Sequence, residues 1–457
     1  MYVQTPYIEL KLYRFNETVS DLEEKFSFSP ENNSGLISYS FQKNIHNLSG
    51  EFTLSLKDIE KYFNNIKTLD LVKIFEGGKL VFCGVVESVT FSKSATQGNM
   101  VVVNGKEICH LLEMFFISYD LSSMIFLNNN EKANVQNIEF KLAVNNGTKP
   151  ALIKDSLKTV YNDFSNAAAN PKKYGMGFIK AYIDNYLGSD FFICEDTLKF
   201  DYPISSNLFQ EGSEVSFIEF IRNLLHSSVY EIFGIIDEKE MSKIKVRQVP
   251  FDKESWKKLQ SKAITIDTDF LTSYSFRKSC EEVYTTFISY LNNSPESSET
   301  NQRAMSLANK PHAIVNEDKF KRYGYKPLKV NFVGFNNNCS SPETSEEFEN
   351  QIKEQSDLIS NLELLNKDLN EWYSKLDEML TGSISLVNQW KDFIQVGEVV
   401  KFNDNYFYVT SVSHNWKYGS NGTITLRVDR GGVYKDGVFI KEGDIYKWEL
   451  YLKNLKL

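Results

Sequence analysis

The stretch VGEVVKF occupies residues 396–402, and it is followed by YFYVTSVSHNW at 406–416 and TITLRV at 423–428. Apolar and polar residues alternate throughout TITLRV and along parts of the other two stretches. A two-residue period of this kind predicts β-strands with one buried face. The breaks between the stretches are short and polar, which is typical of turns between antiparallel neighbours. This end of the chain is therefore predicted to be an antiparallel β domain.

The same period returns near the amino-terminal end, at residues 8–12, 37–41 and 52–56. Two further apolar runs flank Gly77-Gly78, whose glycines permit a tight turn, so a hairpin is expected there. Helical spacing is expected from Gly105 to Glu113, after the last of these strands. Together these features predict a small barrel capped by a short helix.

The pattern divides the chain into four parts. Residues 1–120 are predicted to be a first antiparallel β-barrel domain, and residues 264–432 a second one with a helical insertion at 345–380. Residues 121–263 mix helical and strand spacing, which predicts an α+β domain. Residues 433–457 are an apolar C-terminal extension. The fold class is thus α+β and mostly β, and an internal duplication of the two β segments is one interpretation.

Length and composition limit the class of protein. A chain of 457 residues exceeds what one hydrophobic core organises, so several domains are expected. The formal charge of −9 leaves no basic excess for phosphates, so stable nucleic-acid binding is not expected. Neither a membrane segment nor a signal peptide is predicted. The five cysteines lack CxxC spacing, and we expect them to be reduced and buried.

Motifs in the second β segment resemble those of phage baseplate hub proteins. The three terminal strands are similar to the last β domain of that family, and two elements upstream are similar to family elements around a helix. The RYG tripeptide at 322–324 belongs to the first of these elements. The residues to which the resemblance assigns a structural role are Arg322, Tyr323, Gly324, Gly382, Gly397, His414 and Trp416.

The first β segment adds DLVKI at 70–74 and VFCGVV at 81–86, which are similar to the first β domain of the same hubs. The matched elements keep the family's order along most of the chain. Residues 120–210 and the tail after Gly432 match no element of the family. The ordered set carries the resemblance, because no single motif is as specific as a metal-ligand signature.

The resemblance implies two tube-like antiparallel β-barrel domains in each chain and a homotrimer that imitates a six-fold ring. Such a subunit is a structural baseplate hub, which joins the six-fold tail tube to a three-fold central spike and lines the tail channel. The implied partners are the tail tube protein, the central spike protein and other baseplate proteins, and DNA passes through the channel without stable binding. The implied location is the virion tail baseplate, or a phage-derived tail-like particle or contractile injection system, after synthesis in the bacterial cytoplasm.

The residues show no catalytic signature, so the chain is not expected to be an enzyme. The nearest constellation is Cys109-His110 with Glu113, but neighbouring helical side chains point apart and a packing role is expected. His414 is expected to bond a neighbouring loop, and Asp267-Thr268-Asp269 to form a turn. No HExxH spacing or phosphate-cradling loop occurs, so no metal or cofactor is predicted. The alternatives are a tail-tip cell-wall hydrolase with its site in 120–210 and a carbohydrate-binding adhesin.

Two segments keep two interpretations each. Leucines recur at heptad-like spacing over 358–379, which predicts a helix that packs either on its own domain or along a seam between trimer subunits. Thr344 with Glu347 forms a capping pattern at its start, and Gly382 is a candidate helix stop. The extension at 433–457 is either a spike-docking segment or a strand that closes the last barrel.

Overall fold

A computed structural model provides the fold. It describes residues 7–15, 22–29, 35–45, 47–57, 59–94, 98–110, 113, 116–118, 192–194, 214–237, 242–293, 312–335, 360–388 and 393–441. Most of the 120–210 region, the Thr344–Glu347 capping pattern and the extension beyond 441 lie outside these residues. Across the described residues, no helix is both long enough and apolar enough to span a membrane.

Most described elements are strands, and they are numbered in chain order. Their bounds are β1 Ile8–Phe15, β2 Leu22–Phe28, β3 Leu36–Asn44, β4 Asn47–Lys57, β5 Leu71–Glu76, β6 Lys79–Ser94, β7 Gly98–Glu107, β8 Phe116–Ser118, β9 Phe192–Cys194, β10 Glu214–Ser216, β11 Tyr230–Ile236, β12 Ser242–Gln248, β13 Ile264–Thr265, β14 Leu271–Arg277, β15 Thr286–Asn293, β16 His312–Val315, β17 Pro327–Phe335, β18 Leu380–Val387, β19 Val399–Phe402, β20 Asn405–Lys417, β21 Thr423–Lys435 and β22 Val438–Lys441.

The helices are short and lie between the strands. Their bounds are α1 Ile59–Tyr62, α2 Phe217–Leu224, α3 Lys253–Gln260, α4 Glu317–Tyr323 and α5 at 360–373. Ser216 and Asp252 cap the starts of α2 and α3, because their side chains accept backbone N–H groups of the first turn. The mostly β fold with antiparallel sheets that the alternating sequence predicted is confirmed. The domain limits stay predictions.

Four local expectations are corrected by the structure. Strand β2 was not predicted. Residues 105–107 continue β7 instead of starting a helix, and only the short 3-10 turn Ile108–His110 follows. Gly382 lies inside β18 and is not a helix stop. Cys83 and Cys109 are buried as expected, but Cys280 is exposed.

Both β segments lie in one 14-stranded sheet. Its main order is β14-β18-β21-β20-β3-β4-β7-β6-β5-β1-β2, and β13, β19 and β22 branch from it. Strand β20 of the second segment pairs antiparallel with β3 of the first, so the two segments are continuous through hydrogen bonds. The short strands of the mixed segment form separate sheets, in the orders β10-β8 and β11-β12-β9, and β16-β15-β17 forms another.

The order of five strands occurs twice in this sheet. The first repeat has the order β3-β4-β7-β6-β5, and the second repeat has the order β14-β18-β21-β20-β19. All neighbouring strands within each repeat are antiparallel. Register shifts also coincide, because the shift at Leu36/Ser38 has a counterpart at Leu271/Ser273 and the shift at Val86/Ser88 one at Val409/Ser411.

Alignment of the two repeats by strand order and register reveals a repeat in the sequence itself. Residues 36–43 read LISYSFQK and residues 271–278 read LTSYSFRK, and six of the eight positions are identical. Residues 70–74 and 398–402, DLVKI and EVVKF, are counterparts by the same strand alignment. The internal duplication is therefore supported by strand order, by bulges and by residue identity.

The heptad-like helix packs on its own chain. Leu362, Leu365, Leu369 and Trp372 of α5 are buried in the core that also holds residues of the second repeat and of β11 and β12. This helix ends at residue 373, earlier than the predicted 380, because turns occupy 374–378 and β18 starts at Leu380. The predicted part at 345–359 lies outside the described residues. The own-domain interpretation is thus the one that these buried leucines support.

Candidate functional site

The two repeats meet at a single strand pair, which we call the repeat joint. Residues 38–44 of β3 run antiparallel to residues 411–417 of β20. The buried Ser411 hydroxyl donates to the Lys43 carbonyl at 2.8 Å, which adds a side-chain bond to the backbone ladder. The contact is head to tail, because it joins β3, the first strand in the order of one repeat, to the second half of β20, beyond the part of β20 that pairs with β19 in the other repeat.

Two stacked ring pairs lie across the repeat joint. Trp416 stands opposite Tyr39 with ring centroids 5.8 Å apart, and His414 stands opposite Phe41 at 4.5 Å with 17° between the planes. All four side chains are at most 4% exposed. Direct cross-strand pairs contribute about 0.2–1 kcal/mol each beyond alanine pairs. The two stacks therefore favour this register of the repeat joint, because each ring meets its partner only when these residues lie directly opposite each other.

A buried carboxylate beneath these rings connects the two repeats. Glu76, at the end of β5, accepts hydrogen bonds from the Tyr39 hydroxyl at 2.6 Å and the Asn388 amide at 2.7 Å, and its carboxylate lies 2.9 Å from His414 Nδ1. His414 lies on β20 of the second repeat, and Asn388 directly follows β18 of the same repeat. Burial alone would raise the pKa of Glu76, but His414 and the three hydrogen bonds outweigh it and hold that pKa below its ordinary value.

His414 and Trp416 are therefore brought together by the fold, as neighbours on one face of β20. The predicted hydrogen bond of His414 exists, but its partner is a carboxylate of the other repeat and not a neighbouring loop. Burial, followed by the charge of Glu76, raises the pKa of Tyr39 well above its ordinary value. Both shifts keep the carboxylate charged and the phenol neutral near pH 7.

Arg322, Tyr323 and Gly324 lie away from the repeat joint, at the end of α4. The Tyr323 hydroxyl donates to Asp377 at 2.7 Å, and Arg322 approaches the same carboxylate at 3.9 Å with a side chain 70% exposed. Gly324 has a φ of +73° and ends the helix, and its carbonyl accepts from Thr285. This motif holds the turn after α5 against α4.

Gly397 lies beside a buried polar cluster. Its carbonyl accepts from Arg247 at 2.7 Å, Arg247 pairs with Glu231 at 2.9 Å, and the Tyr408 hydroxyl bonds both of these side chains. With a φ of +77°, Gly397 also sits so close to Phe233 that a Cβ would lie 2.7 Å from its ring. The cluster attaches the β11–β12 hairpin to the second repeat, and this close approach requires glycine.

Gly382 has a packing role in the second repeat. A Cβ at this position would collide with the carbonyl oxygen of Ser275 on the neighbouring strand β14. Close approach between β14 and β18 therefore depends on the missing side chain. Of the seven residues that the family resemblance marked, only His414 and Trp416 belong to the repeat joint.

The Cys109-His110-Glu113 constellation is not arranged for nucleophilic catalysis. His110 Nδ1 lies 2.6 Å from Glu113, closer than the sequence predicted, and Ser49 donates to the same carboxylate at 2.6 Å. The serine hydroxyl and the imidazole thus both bind the carboxylate, which leaves the imidazole without the contact that would activate the serine. Burial raises the pKa of the Cys109 thiol well above its ordinary value, and a buried thiol is unreactive.

The Asp267-Thr268-Asp269 segment forms a turn, as predicted. The Asp267 side chain accepts the Asp269 N–H at 3.0 Å at the start of the 3-10 turn Thr268–Phe270. Within the part of the chain that the structure describes, no group of three histidine, cysteine or acidic side chains is placed to hold a metal.

Sequence reasoning missed Glu76, Tyr39 and Asn388. Glu76 follows an apolar strand and precedes a glycine turn, which is typical of a solvent-exposed hairpin end, yet it is 4% exposed. Its burial depends on a strand more than 300 residues away, so no local pattern predicts it. The available signal was the octapeptide repeat at 36–43 and 271–278, which marks β3 as a duplicated strand.

No family model matches the sequence, and no curated protein matches it. Among solved structures, a tail protein from Neisseria meningitidis is 10% identical with a TM-score of 0.44, and the match covers 95% of this chain and 98% of that one. A 43 kDa prophage tail protein from Shewanella oneidensis is 9% identical with a TM-score of 0.44, and the match covers 93% and 98%. A chain of the Francisella PdpA-VgrG complex is 9% identical at 0.44, and the match covers 93% of this chain but 58% of that one. Phage tail proteins are thus among the solved structures to which this chain is similar.

Proposed function

We propose that this chain is a structural subunit of a phage-type tail, the baseplate hub that joins a six-fold tail tube to a three-fold central spike. The observation that carries the proposal is the repeat joint, because it links two copies of one strand arrangement head to tail in one sheet. A head-to-tail contact that is repeated between chains generates a ring when the rotation closes.

Three chains would then present six repeats around one axis. A homotrimer of this kind matches a six-fold tube on one face and a three-fold spike on the other, since its true symmetry is three-fold and its repeats approximate six-fold symmetry. The family motifs support this arrangement, because 70–74 and 396–402 fall on or beside the counterpart strands β5 and β19. The proposed partners are the tail tube protein, the spike protein and other baseplate proteins.

The ring would line the tail channel in the virion tail baseplate or in a phage-derived particle. The formal charge of −9 supports passage of DNA without stable binding, since like charges repel. In this proposal the chain performs no catalysis. The buried thiol of Cys109 and the arrangement of His110, Glu113 and Ser49 support a packing role for the one constellation that resembled chemistry.

The test combines the purified chain with tail tubes and spikes from the same particle. Negative-stain electron microscopy should show the chain bound at one end of the tube, with spike density on its far face. A chain that remains unbound in the presence of both partners would overturn the hub assignment. Cell-wall zymography of the same preparation should show no clearing, and a cleared zone would favour the hydrolase.

A further inference from the structure

Strands β6 and β20 occupy equivalent positions in the two repeats, but their edges differ. The second half of β20 pairs with β3 along the edge that corresponds to the second half of β6. The first half of β20 pairs with β19, and its second half pairs with β3 of the other repeat. Strand β6 pairs with β5 as far as Val85, and Val86 still exchanges backbone hydrogen bonds with Leu69 and Asp70. From Ser88 onward, the pairing of β6 within the described residues is with β7. Thr90, Ser92 and Lys93 are exposed there. Among the described residues, this joining edge of the first repeat therefore has no neighbouring strand.

Strand β14 offers the complementary edge. Its counterpart β3 pairs with β4 on one side and β20 on the other, whereas β14 is the end strand of the sheet and pairs with β18 in the described residues. Phe41 is 2% exposed, but its counterpart Phe276 is only half-buried, and the counterpart serines Ser40 and Ser275 differ in the same direction. The same octapeptide is thus less buried in β14, which has one neighbouring strand among the described residues, than in β3, which has two.

We propose that the second half of β6 pairs antiparallel with β14 of a second copy of this chain, in the register of the repeat joint. This inference rests on the proposed function, which requires more than one copy. Transfer of the register from β20 and β3 to their counterparts predicts the backbone partners Thr90 with Arg277, Phe91 with Phe276, Ser92 with Ser275 and Ser94 with Ser273 of the second copy.

Two side chains of β6 fit this contact. Phe91 is 53% exposed and corresponds to His414, so it would stack on Phe276 of the second copy as His414 stacks on Phe41 at 4.5 Å. Ser88 corresponds to Ser411, the residue whose hydroxyl bonds the backbone across the repeat joint. Because one edge meets a different edge, the contact is heterologous and can continue from chain to chain until a ring closes.

Cysteine cross-linking tests the register. One chain carries Ser92→Cys and a differently tagged chain carries Ser275→Cys, both with Cys280→Ser, which removes the one exposed thiol among the cysteines whose side chains the structure describes. Opposed strand positions bring Cβ atoms to about 4.5–5.5 Å, close enough for a disulfide after modest adjustment. The control pairs Ser88→Cys with Ser275→Cys, which is four positions out of register and about 13 Å away along the strand.

The expected result is a covalent product of both tags for the 92–275 pair and its absence for the 88–275 pair. Native mass spectrometry of the same samples separates two kinds of failure. An assembly of three times the chain mass without the 92–275 product would overturn this inference and leave the proposed hub standing. A species of one chain mass at every concentration would overturn both.

A proline variant gives an independent measurement. Across the repeat joint, Ile45 N–H donates to the Thr410 carbonyl and Tyr418 N–H donates to the Ile37 carbonyl, so even-numbered residues of β20 direct their backbone groups toward β3. Lys93 corresponds to Trp416, so its backbone N–H is directed toward the edge of β6 that would face the second copy. Lys93→Pro removes an N–H aimed at the second copy and retains the bonds to β7. The variant should keep the parent's circular dichroism and shift from three chain masses to one, and an intact three-chain assembly would overturn the inference.

Discussion

Replacement of Glu76 with alanine tests the buried connection between the repeats. The change removes one carboxylate and leaves the Tyr39 hydroxyl, the Asn388 amide and the His414 imidazole without their acceptor. Each buried donor left unpaired costs about 1–3 kcal/mol. These costs overlap on one carboxylate, so we expect the free energy of unfolding to fall by about 3–5 kcal/mol.

The assay is guanidinium unfolding at pH 7, followed by far-ultraviolet circular dichroism. The matched control is Glu51→Ala, which makes the same change at an exposed position of β4 in the first repeat. We expect a change of roughly 0.5 kcal/mol or less in the control, as for ordinary surface substitutions. If Glu76→Ala lost no more stability than Glu51→Ala, the carboxylate would not connect the repeats and the reasoning would be refuted.

Three further predictions concern the same sheet. Glu76→Gln should lose stability near neutral pH, because a carboxylate whose folded-state pKa lies below its ordinary 4.5 stabilises the fold above that pH. The difference in unfolding free energy from the parent should shrink as the pH falls through the folded-state pKa of Glu76. A pH-independent difference in urea unfolding would count against this. Trp416→Ala should cost about 3–5 kcal/mol in the same assay, because the ring is 4% exposed and stacks on Tyr39, whereas Tyr418→Ala at a 65% exposed ring should have little effect. Gly382→Ala should cost about 1–3 kcal/mol, since the new methyl group collides with the backbone of β14, and an unchanged melting temperature would contradict it.

Strand periodicity predicted most of the sheet because each half-buried strand carries its own alternating signal. Phe52, Leu54 and Leu56 alternate in sequence and are all buried in β4. Strand β2 escaped prediction because its start, LEEK at residues 22–25, places three charged residues in succession. Gly105 was interpreted as the end of a strand, because glycine often marks a break between elements. In the structure it lies inside β7, where close packing against Phe52 requires a residue without a side chain.

The candidate site was harder to predict because it forms between distant segments. His414 and Trp416 were marked by the family resemblance alone, and their partners Tyr39 and Phe41 looked like ordinary alternating strand residues. The register that brings them together is a tertiary property. The repeated octapeptide at 36–43 and 271–278 was the signal in the sequence that related the two halves. Its meaning became clear from the structure, in which both copies carry a register shift at the same position.

Strand order also changes how the two β segments are understood. The alternating pattern predicted two β domains, and hydrogen bonds between β3 and β20 make these two segments neighbours in one sheet. The buried contact between His414 and Glu76 favours one register over its alternatives, because a slip of β20 by one residue would move the His414 imidazole away from the Glu76 carboxylate. The repeat joint is thus specific as well as stable.

The central claim is that two repeats joined head to tail in one chain continue head to tail between chains into a closed ring of three. Cryo-electron microscopy of the purified protein at high concentration tests it most directly. We expect three-fold averages in which six similar β repeats form one continuous wall, with β6 of each chain beside β14 of the next. A closed two-fold dimer, or single chains with β6 and β14 both uncovered, would contradict it.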